Sequence, residues 1–217
     1  MVNVLSNDNK LMSFVCKIKL SEVNNLSDAR FGAAAGFDYL GFCFDTLNPA
    51  FIAPVKAKEI IDWVSGPFMV GEFGEQQPEE INQIAGLLQL DLIEIKNDLL
   101  PDEVAKLSKP VIKYINLGVL NKEQVQNEIK AYSNVCAGIV CQTTADDMER
   151  LAGIRTILSN DIALFITGID NPDELYKAFL ACKADGIYIT GSNEEVVGVK
   201  DFESLQGLVD KFSILAE

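Results

Sequence analysis

Short apolar runs rich in β-branched and aromatic residues alternate along the chain with stretches whose apolar positions recur every three to four residues. Eight such runs occur, beginning roughly 20 to 30 residues apart. They cover residues 13–18, 38–44, 67–73, 91–95, 110–115, 135–141, 162–167 and 186–190. Apolar runs of this length and composition, bounded by turn residues, predict buried strands.

The stretches between these runs carry helix-boundary residues. Ser27 is predicted as an N-cap and Gly36 as the stop of the first helix. Pro54 and Pro78 stand where a first helical turn tolerates proline. The predicted helices are 27–36, 55–64, 78–88, 102–107, 121–132, 145–158, 172–182 and 201–214.

Eight strand–helix units joined by short connections predict a parallel sheet closed into a single (β/α)8 TIM barrel of the α/β class. We expect the barrel to span residues 13–217 and to follow a polar N-terminal extension over residues 1–12. A doubly wound open sheet is the alternative, but it favours a glycine-rich first turn, and L-S-E-V-N-N (20–25) contains no G-x-G-x-x-G. In a barrel, the functional site is expected at the carboxyl ends of the strands.

The charge and the apolar pattern exclude some function classes. A net charge of −14 argues against a nucleic-acid partner, whose phosphates would be repelled, although a local pocket can still accept an anion. No run of 18 apolar residues predicts a membrane span, and the N-terminus does not resemble a secretory signal, so we expect a cytoplasmic protein. The pattern leaves the oligomeric state open.

The chain contains no histidine, so acid–base chemistry falls to carboxylates, lysines, tyrosines or thiols. Five scattered cysteines without a C-x-x-C pair are expected to be reduced, buried thiols. No motif in the sequence predicts a metal ion or a cofactor.

Charged residues interrupt several of the predicted strands. Lys19 shares one strand face with Lys17, since side chains alternate with a period of two. The other charges at strand positions are Glu72, Glu94, Lys96 and Lys113. An unpaired charge inside a barrel would be costly, so these groups are expected to meet at the barrel mouth. They form either a structural network of paired charges or a site for an anionic ligand, in which one lysine could act as a Schiff-base nucleophile.

The last two predicted strands end in small polar residues. I-T-G-I-D-N-P (166–172) follows strand 7 and I-T-G-S-N-E-E (189–195) follows strand 8. Glycines there let backbone N–H groups approach an anion, and barrels often bind phosphate after these strands. The predicted phosphate-binding residues are Thr167, Gly168, Thr190, Gly191 and Ser192. Two ordinary turns are the alternative.

Several of these segments together resemble the phosphoribosylanthranilate isomerase family of tryptophan biosynthesis. N-L-S-D-A-R-F-G-A-A-A-G-F-D-Y-L-G-F-C-F (25–44) resembles the family's succession of D-A, A-G-A-D and G-F-x-F. N-P-A-F-I-A-P (48–54) resembles S-P-R-Y-V-S-P, with Ala50 in place of the arginine. L-Q-L-D-L-I-E-I-K-N (88–97) is similar to L-D-A-V-Q-L-H-G, with Lys96 in place of the histidine.

The resemblance implies an Amadori rearrangement of N-(5'-phosphoribosyl)anthranilate. The family uses a cysteine at the end of strand 1 as the general base and an aspartate at the end of strand 6 as the general acid. Its motif K-I-C-G matches K-I-K-L (17–20), which gives Lys19 the position of the cysteine. Its motif L-L-D-T matches I-V-C-Q (139–142), which gives Cys141 the position of the aspartate.

Three functions are compatible with these substitutions. The first is a working isomerase whose base and acid have been replaced. The second is a barrel enzyme with lysine-dependent chemistry on a phosphorylated small molecule. The third is a non-catalytic relative, a pseudoenzyme, that binds a phosphorylated metabolite. The predicted substrate-binding residues are Glu72, Glu94, Lys96 and Lys113.

Overall fold

The computed structural model describes residues 16–144, 147–190 and 202–213, and it confirms the predicted (β/α)8 barrel. The strands are β1 (Lys17–Ser21), β2 (Tyr39–Cys43), β3 (Phe68–Phe73), β4 (Leu92–Ile95), β5 (Val111–Asn116), β6 (Gly138–Gln142), β7 (Ala163–Thr167) and β8 (Gly186–Thr190). The helices are α1 (Leu26–Ala34), α2 (Pro54–Ile61), α3 (Pro78–Leu88), α4 (Pro101–Val104), α5 (Lys122–Tyr132), α6 (Met148–Ile157), α7 (Pro172–Cys182) and α8 (Phe202–Ser213).

Each strand pairs in parallel with the next, and β8 closes the sheet on β1. The closing register runs from Lys17 opposite Gly186 to Ser21 opposite Thr190. All eight carboxyl ends therefore lie at the same end of the barrel, which is where the functional site was expected.

The core has two layers, as the alternation of strand side chains requires. Inward-facing residues of six strands fill the barrel: Tyr39, Val70, Ile112, Val140, Phe165 and Tyr188. The other strand face packs against the helices in a larger cluster that includes Ile95 of β4, Ile139 of β6 and Phe179 of α7. The face on which a strand residue lies therefore decides whether it can reach the barrel mouth.

Most strand boundaries differ from the predicted ones by one to four residues, and two of the differences at carboxyl ends affect the site. β1 ends at Ser21 rather than at residue 18, and β6 ends at Gln142 rather than at residue 141. In both strands the ladder continues past the predicted run and ends on a polar residue that faces the barrel mouth, Ser21 in β1 and Gln142 in β6. Residues 1–12, predicted to be an extension, lie outside the described part of the chain.

The first helix begins differently from its prediction. Asn25 rather than Ser27 is the N-cap of α1, and its side-chain oxygen accepts a hydrogen bond of 2.9 Å from Asp28 N. Gly36 follows the end of α1 with a φ of 78°, as a glycine stop requires. Within the described residues, no helix is long and apolar enough to cross a membrane.

Candidate functional site

A cavity of about 390 Å³ opens at the carboxyl ends of the strands. Its charged lining residues are Glu22, Glu94, Lys96 and Asp170. Its other lining residues are Ser21, Tyr114, Gln142, Thr167, Gly168, Ile169, Pro172, Tyr188, Ile189, Thr190, Leu205 and Leu208. Residues of six strands or their following turns thus converge on one pocket, and three of its four charged groups are acidic.

Lys19 lies below this pocket and does not line it. Its side chain is fully buried, and its Nζ lies 2.8 Å from Glu72 Oε1. The same Nζ donates a hydrogen bond to Glu94 Oε2. It also lies 4.1 Å from the centroid of the Tyr188 ring. Three of the charged strand residues that were expected to meet therefore do so inside the barrel, where Lys19 is paired with Glu72 and Glu94.

The two carboxyl groups of this cluster respond differently to the same burial. Burial raises the pKa of Glu94 above its ordinary value, and the nearby charge of Lys19 does not fully offset that effect. Burial acts on Glu72 as well, but Lys19 and Lys96 outweigh it and lower the pKa of Glu72. Glu94 is therefore the more readily protonated of the two, and it is the one that lines the pocket.

Gly41 of β2 makes room for the Lys19–Glu72 ion pair. A Cβ at this position would lie 2.0 Å from Glu72 Oε1 and 2.6 Å from Lys19 Cε. No side chain larger than hydrogen fits beside the pair without moving it. A glycine in the middle of a strand, which is unfavourable in itself, is explained by this contact.

Lys96 is the cation that lines the cavity among the described residues. Its Nζ lies 5.2 Å from the centroid of the Tyr114 ring, and the Tyr114 hydroxyl donates a hydrogen bond of 2.6 Å to Gln142 Oε1. Burial alone would lower the pKa of Lys96, but Glu72 and Glu94 raise it above its ordinary value. Lys96 is therefore a fixed positive charge in the pocket.

Lys113 lies outside the barrel interior, contrary to its expected place at the mouth. Its Nζ donates a hydrogen bond of 2.5 Å to the Asn97 carbonyl and lies 4.9 Å from the centroid of the Tyr132 ring of α5. Burial lowers its pKa. Lys113 therefore takes no part in the pocket, because its position in β5 faces the helices.

Cys141 also lies on the helix-facing side, fully buried in the outer core. Burial raises the pKa of its thiol, and nearby Cys182 adds to that effect. A buried, protonated thiol outside the cavity does not fit the predicted role at the end of strand 6. The side chain that faces the pocket there is its neighbour Gln142.

With the strand ends known, two motifs of the resembled family can be aligned with this chain in a better register. Set on residues 19–22 (K-L-S-E), the motif K-I-C-G puts its cysteine at Ser21 and its glycine at Glu22. Glu22 has a φ of 60°, in the left-handed region that favours glycine. Set on residues 140–143 (V-C-Q-T), the motif L-L-D-T puts its aspartate at Gln142 and matches Thr143.

The predicted phosphate-binding residues are described in part. Thr167, Gly168 and Thr190 line the cavity, whereas Gly191 and Ser192 lie outside the described residues. Gly168 has a φ of 89°, and a Cβ there would lie 2.7 Å from the Thr143 carbonyl oxygen. The turn after β7 therefore requires glycine, and its backbone borders the pocket near the start of α7.

The sequence prediction assigned no role to the pocket residues Ser21, Glu22, Tyr114, Gln142 and Tyr188. Their common signal is position: each lies on the inward face at or near the carboxyl end of a strand, or in the following turn. Counting by two from the correct strand ends would have found four of them. Within the described ranges, no group of three histidine, cysteine, aspartate or glutamate side chains could hold a metal ion.

Comparison with known protein sequences identifies the family of this chain. Residues 18–211 match the sequence model of the family described as N-(5'phosphoribosyl)anthranilate (PRA) isomerase. The isomerase of Chlorobium chlorochromatii is 29% identical over 209 residues, which cover 89% of this chain and 94% of that protein. The isomerase of Pelodictyon phaeoclathratiforme is 40% identical over 92 residues, 42% of each chain.

Solved structures of the same enzyme share the fold. Phosphoribosyl anthranilate isomerase from Thermotoga maritima superposes with a TM-score of 0.80 at 21% identity, covering 91% of this chain and 98% of that one. A complex of such an isomerase with reduced 1-(o-carboxyphenylamino)-1-deoxyribulose 5-phosphate gives a TM-score of 0.78 at 22% identity, with the same coverage. At this identity the structures establish the barrel fold, and the match over residues 18–211 establishes the family.

Proposed function

Since the chain belongs to the N-(5'-phosphoribosyl)anthranilate isomerase family, we propose that its pocket binds a phosphorylated sugar derivative, the class of compound on which the family acts. The observation that carries this proposal is the cavity of about 390 Å³ at the carboxyl ends of the strands, which has the size of a small-molecule site. The isomerases with similar folds include one solved in complex with a phosphorylated deoxyribulose derivative.

The side of the cavity next to β7 supports binding of the phosphate. The turn at Gly168 brings backbone close to the cavity. Thr167 also lines the cavity, and its hydroxyl donates a hydrogen bond of 3.2 Å to the Tyr188 carbonyl oxygen. Lys96 adds a positive charge within the same cavity.

The residues that occupy the positions of the family's base and acid argue against rapid turnover of the family's substrate. Ser21 stands at the end of β1, and a serine hydroxyl is a far weaker proton acceptor than a cysteine thiolate. The carboxylate to which that hydroxyl is hydrogen-bonded, Glu72, is already held by Lys19. Gln142 stands at the inward-facing end of β6, and an amide cannot donate the proton that a carboxylic acid would. We therefore propose that the protein binds such a ligand while turning over N-(5'-phosphoribosyl)anthranilate slowly.

Isomerisation by a different acid is the second candidate function, and the raised pKa of Glu94 favours it. An Amadori rearrangement needs one group that protonates the sugar ring oxygen and one that takes the proton from the neighbouring carbon, with no net change in atoms. Glu94, whose pKa is raised by burial, would be the proton donor. The carboxylates of Glu22 and Asp170 would be the available proton acceptors.

The test is turnover of N-(5'-phosphoribosyl)anthranilate, followed as loss of substrate fluorescence. Wild type is compared with the double substitution Ser21→Cys plus Gln142→Asp, which restores the family's residues at the ends of β1 and β6. Because general acid and base catalysis each contribute about 100-fold or more, the double substitution is expected to raise kcat/KM by at least about 100-fold. Cys141→Ser is the matched control and should leave turnover unchanged.

Each outcome separates the candidate functions. Rapid wild-type turnover that Glu94→Gln abolishes would contradict slow turnover and support the second candidate. No gain in the double variant, with wild-type stability retained, would mean that Ser21 and Gln142 do not occupy the family's catalytic positions. Binding is measured separately, by the rise in melting temperature with ribose 5-phosphate, and no rise at any concentration would retire the proposed ligand class.

A further inference from the structure

Two carboxylates lie side by side inside the barrel and share one lysine. Glu72 of β3 and Glu94 of β4 are direct partners in the sheet register, and each is 1% exposed. Lys19 Nζ lies 2.8 Å from Glu72 Oε1 and donates a hydrogen bond to Glu94 Oε2. Like charges at paired positions of neighbouring strands repel, and one ammonium group neutralises only one of them. The second carboxylate therefore needs another cation or a proton.

Lys96 supplies the second positive charge from the side of the cavity. Its charge acts on both Glu72 and Glu94. Lys96 and Glu94 line the cavity, whereas Lys19 and Glu72 are not part of its described lining. Two ammonium groups thus balance two carboxylates, and one member of each kind borders the cavity.

An anionic ligand would disturb this balance. Its negative charge would lie close to Glu94, and it would also attract Lys96, whose charge stabilises the Glu94 carboxylate. Both effects favour the neutral form of a carboxyl group. Glu94 would therefore bind a proton more readily when the cavity holds an anion.

Glu72 is less suited to bind that proton. Burial acts on Glu72, but Lys19, Lys96 and a hydrogen bond with Ser21 keep its pKa below the ordinary value. Burial and the neighbouring charge of Glu72 instead raise the pKa of Glu94. Of the two buried carboxyl groups, Glu94 is the one that both borders the cavity and is closer to protonation.

Titratable groups from several elements surround Glu94. Its hydrogen-bond partners are Lys19 of β1 and the Tyr188 hydroxyl of β8. The other charged or titratable groups that act on it or line the same cavity are Glu22, Glu72, Lys96, Tyr114 and Asp170.

The tyrosines and the lysine of the cavity keep their charge states near neutral pH. Burial raises the pKa of Tyr114 to about 12 and the pKa of Tyr188 well above its ordinary value, so both phenols stay neutral. Burial alone would lower the pKa of Lys96, but Glu72 and Glu94 raise it, so Lys96 stays charged. A proton that enters these buried groups with an anion therefore binds to Glu94.

We propose that the cavity takes up a proton together with a phosphate-bearing ligand, and that Glu94 accepts this proton. The proton comes from the solvent and forms an O–H bond on the Glu94 carboxyl group, which removes one negative charge beside the ligand. This inference rests on the proposed binding of a phosphorylated sugar derivative and adds how that binding depends on pH. A protonated Glu94 in the complex is also the form that the second candidate function requires of its proton donor.

The direction of the pH dependence follows from linkage. Binding is tightest below the pKa of Glu94 in the free protein, which burial places above the ordinary value of 4.5. The affinity then falls as the pH rises towards the pKa of Glu94 in the complex, because the proton must be taken from a more dilute pool.

The test measures binding of ribose 5-phosphate by titration calorimetry from about pH 5 to about pH 8, in pairs of buffers that differ in ionisation enthalpy. The difference in heat between two buffers gives the number of protons taken up. The ligand phosphate itself titrates near about pH 6, so wild type is compared with Glu94→Gln, in which that contribution is the same. Wild type is expected to take up more protons than Glu94→Gln.

The affinities should differ in the same sense. Wild type and Glu94→Gln are expected to bind equally at the acidic end of the range, where Glu94 is neutral. Relative to Glu94→Gln, the wild-type affinity should fall by about tenfold towards the alkaline end, the size of the effect of one added charge on a nearby buried carboxyl group. Lys19 keeps Glu72 as its partner in this variant, and thermal unfolding checks that the variant is folded.

Glu22→Gln and Asp170→Asn are the matched controls. Each removes a carboxylate that lines the same cavity but does not bind Lys19. Both variants should keep the wild-type proton uptake. If Glu94→Gln does not fold, the two controls are measured with sulfate, which stays a dianion over this range. Uptake that persists in both would support the buried carboxyl group, and loss of uptake in either would overturn the inference.

The failures of the inference and of the proposed function are distinguishable. Ribose 5-phosphate binding with the same proton uptake in wild type and Glu94→Gln would overturn the role of Glu94 and leave the proposed function intact. Uptake that disappears in Glu22→Gln or Asp170→Asn would assign the proton to that carboxylate and overturn the inference. Absence of ribose 5-phosphate binding at every pH would overturn both.

Discussion

The role of Lys19 depends on the side chains that surround it. In the sequence, Lys17 and Lys19 look like a pair of like charges on one strand face. In the structure, Lys17 is exposed at the start of β1, whereas Lys19 is buried between Glu72 and Glu94. A lysine held by two carboxylates beneath the pocket is not a free nucleophile, so Schiff-base chemistry at Lys19 is disfavoured.

We predict that Lys19→Met, which keeps the volume but removes the charge, destabilises the protein. Removing one partner from a buried ion pair costs about 3–5 kcal/mol, because the remaining charges are left uncompensated. The free energy of unfolding, measured by urea titration at neutral pH, checks this. A loss below about 1 kcal/mol would contradict the buried cluster.

The deficit of Lys19→Met should depend on pH. Without Lys19 the folded-state pKa values of Glu72 and Glu94 rise above the ordinary carboxyl value of 4.5. Groups with raised folded pKa values stabilise most when protonated, and this contribution is lost as the pH rises through those values. The variant should therefore approach wild type below about pH 4.5, and Lys19→Met combined with Glu72→Gln and Glu94→Gln should recover stability at neutral pH.

At the scale of the element, the sequence of β2 is explained by how it packs against the two neighbouring strands and not by its own strand propensity. Gly41 lies in a fully buried strand, Y-L-G-F-C, and lacks the side chain that the barrel interior would otherwise need. The side chains of Lys19 from β1 and Glu72 from β3 fill that space from both sides. The packing of β1, β2 and β3 therefore depends on the same ion pair and on the absence of a side chain at Gly41.

We predict that Gly41→Ala destabilises the protein by about 1–3 kcal/mol, the usual cost of overpacking a core. The added methyl group would overlap Glu72 and Lys19. Gly86→Ala is the matched control: Gly86 is exposed within α3 and has open space around its Cβ position, so alanine should stabilise by about 0.5–1 kcal/mol. Thermal unfolding of both variants tests the difference, and a neutral Gly41→Ala would contradict the tight contact.

At the scale of the whole molecule, the closed barrel and its helical layer bury every cysteine. All five thiols are buried, and none forms a disulfide. Burial raises the pKa of Cys16 to about 12 and of Cys43, Cys136 and Cys182 to about 11 each. Such thiols act as small apolar side chains and offer no nucleophile to the pocket.

We predict that a thiol reagent such as 5,5'-dithiobis(2-nitrobenzoic acid) labels no cysteine of the native protein within minutes at neutral pH. All five should react at once in denaturant, because the barrier is burial and the raised thiol pKa rather than oxidation. Rapid labelling of one cysteine in the native state would identify a region that opens. Mass spectrometry of the labelled peptide would then locate it.

The alternation of eight apolar runs with helical stretches was enough to predict the barrel, because each unit must bury one strand between two layers. Among the residues it assigned to binding, Glu94, Lys96, Thr167 and Gly168 line the cavity at the carboxyl ends of the strands. These predictions depend on local periodicity and on the order of elements, both of which a single chain displays.

The tertiary structure alone decided which residues meet in the pocket. Lys19 and Cys141, rather than Ser21 and Gln142, were given the positions of the base and the acid, because the strands extend beyond the apolar runs. A shift of one residue reverses the face of a strand, as at β6, and a shift of two moves a side chain by one layer, as at β1. Only the pairing of each strand with its neighbours supplies that register, and it is set by contacts between residues far apart in the sequence.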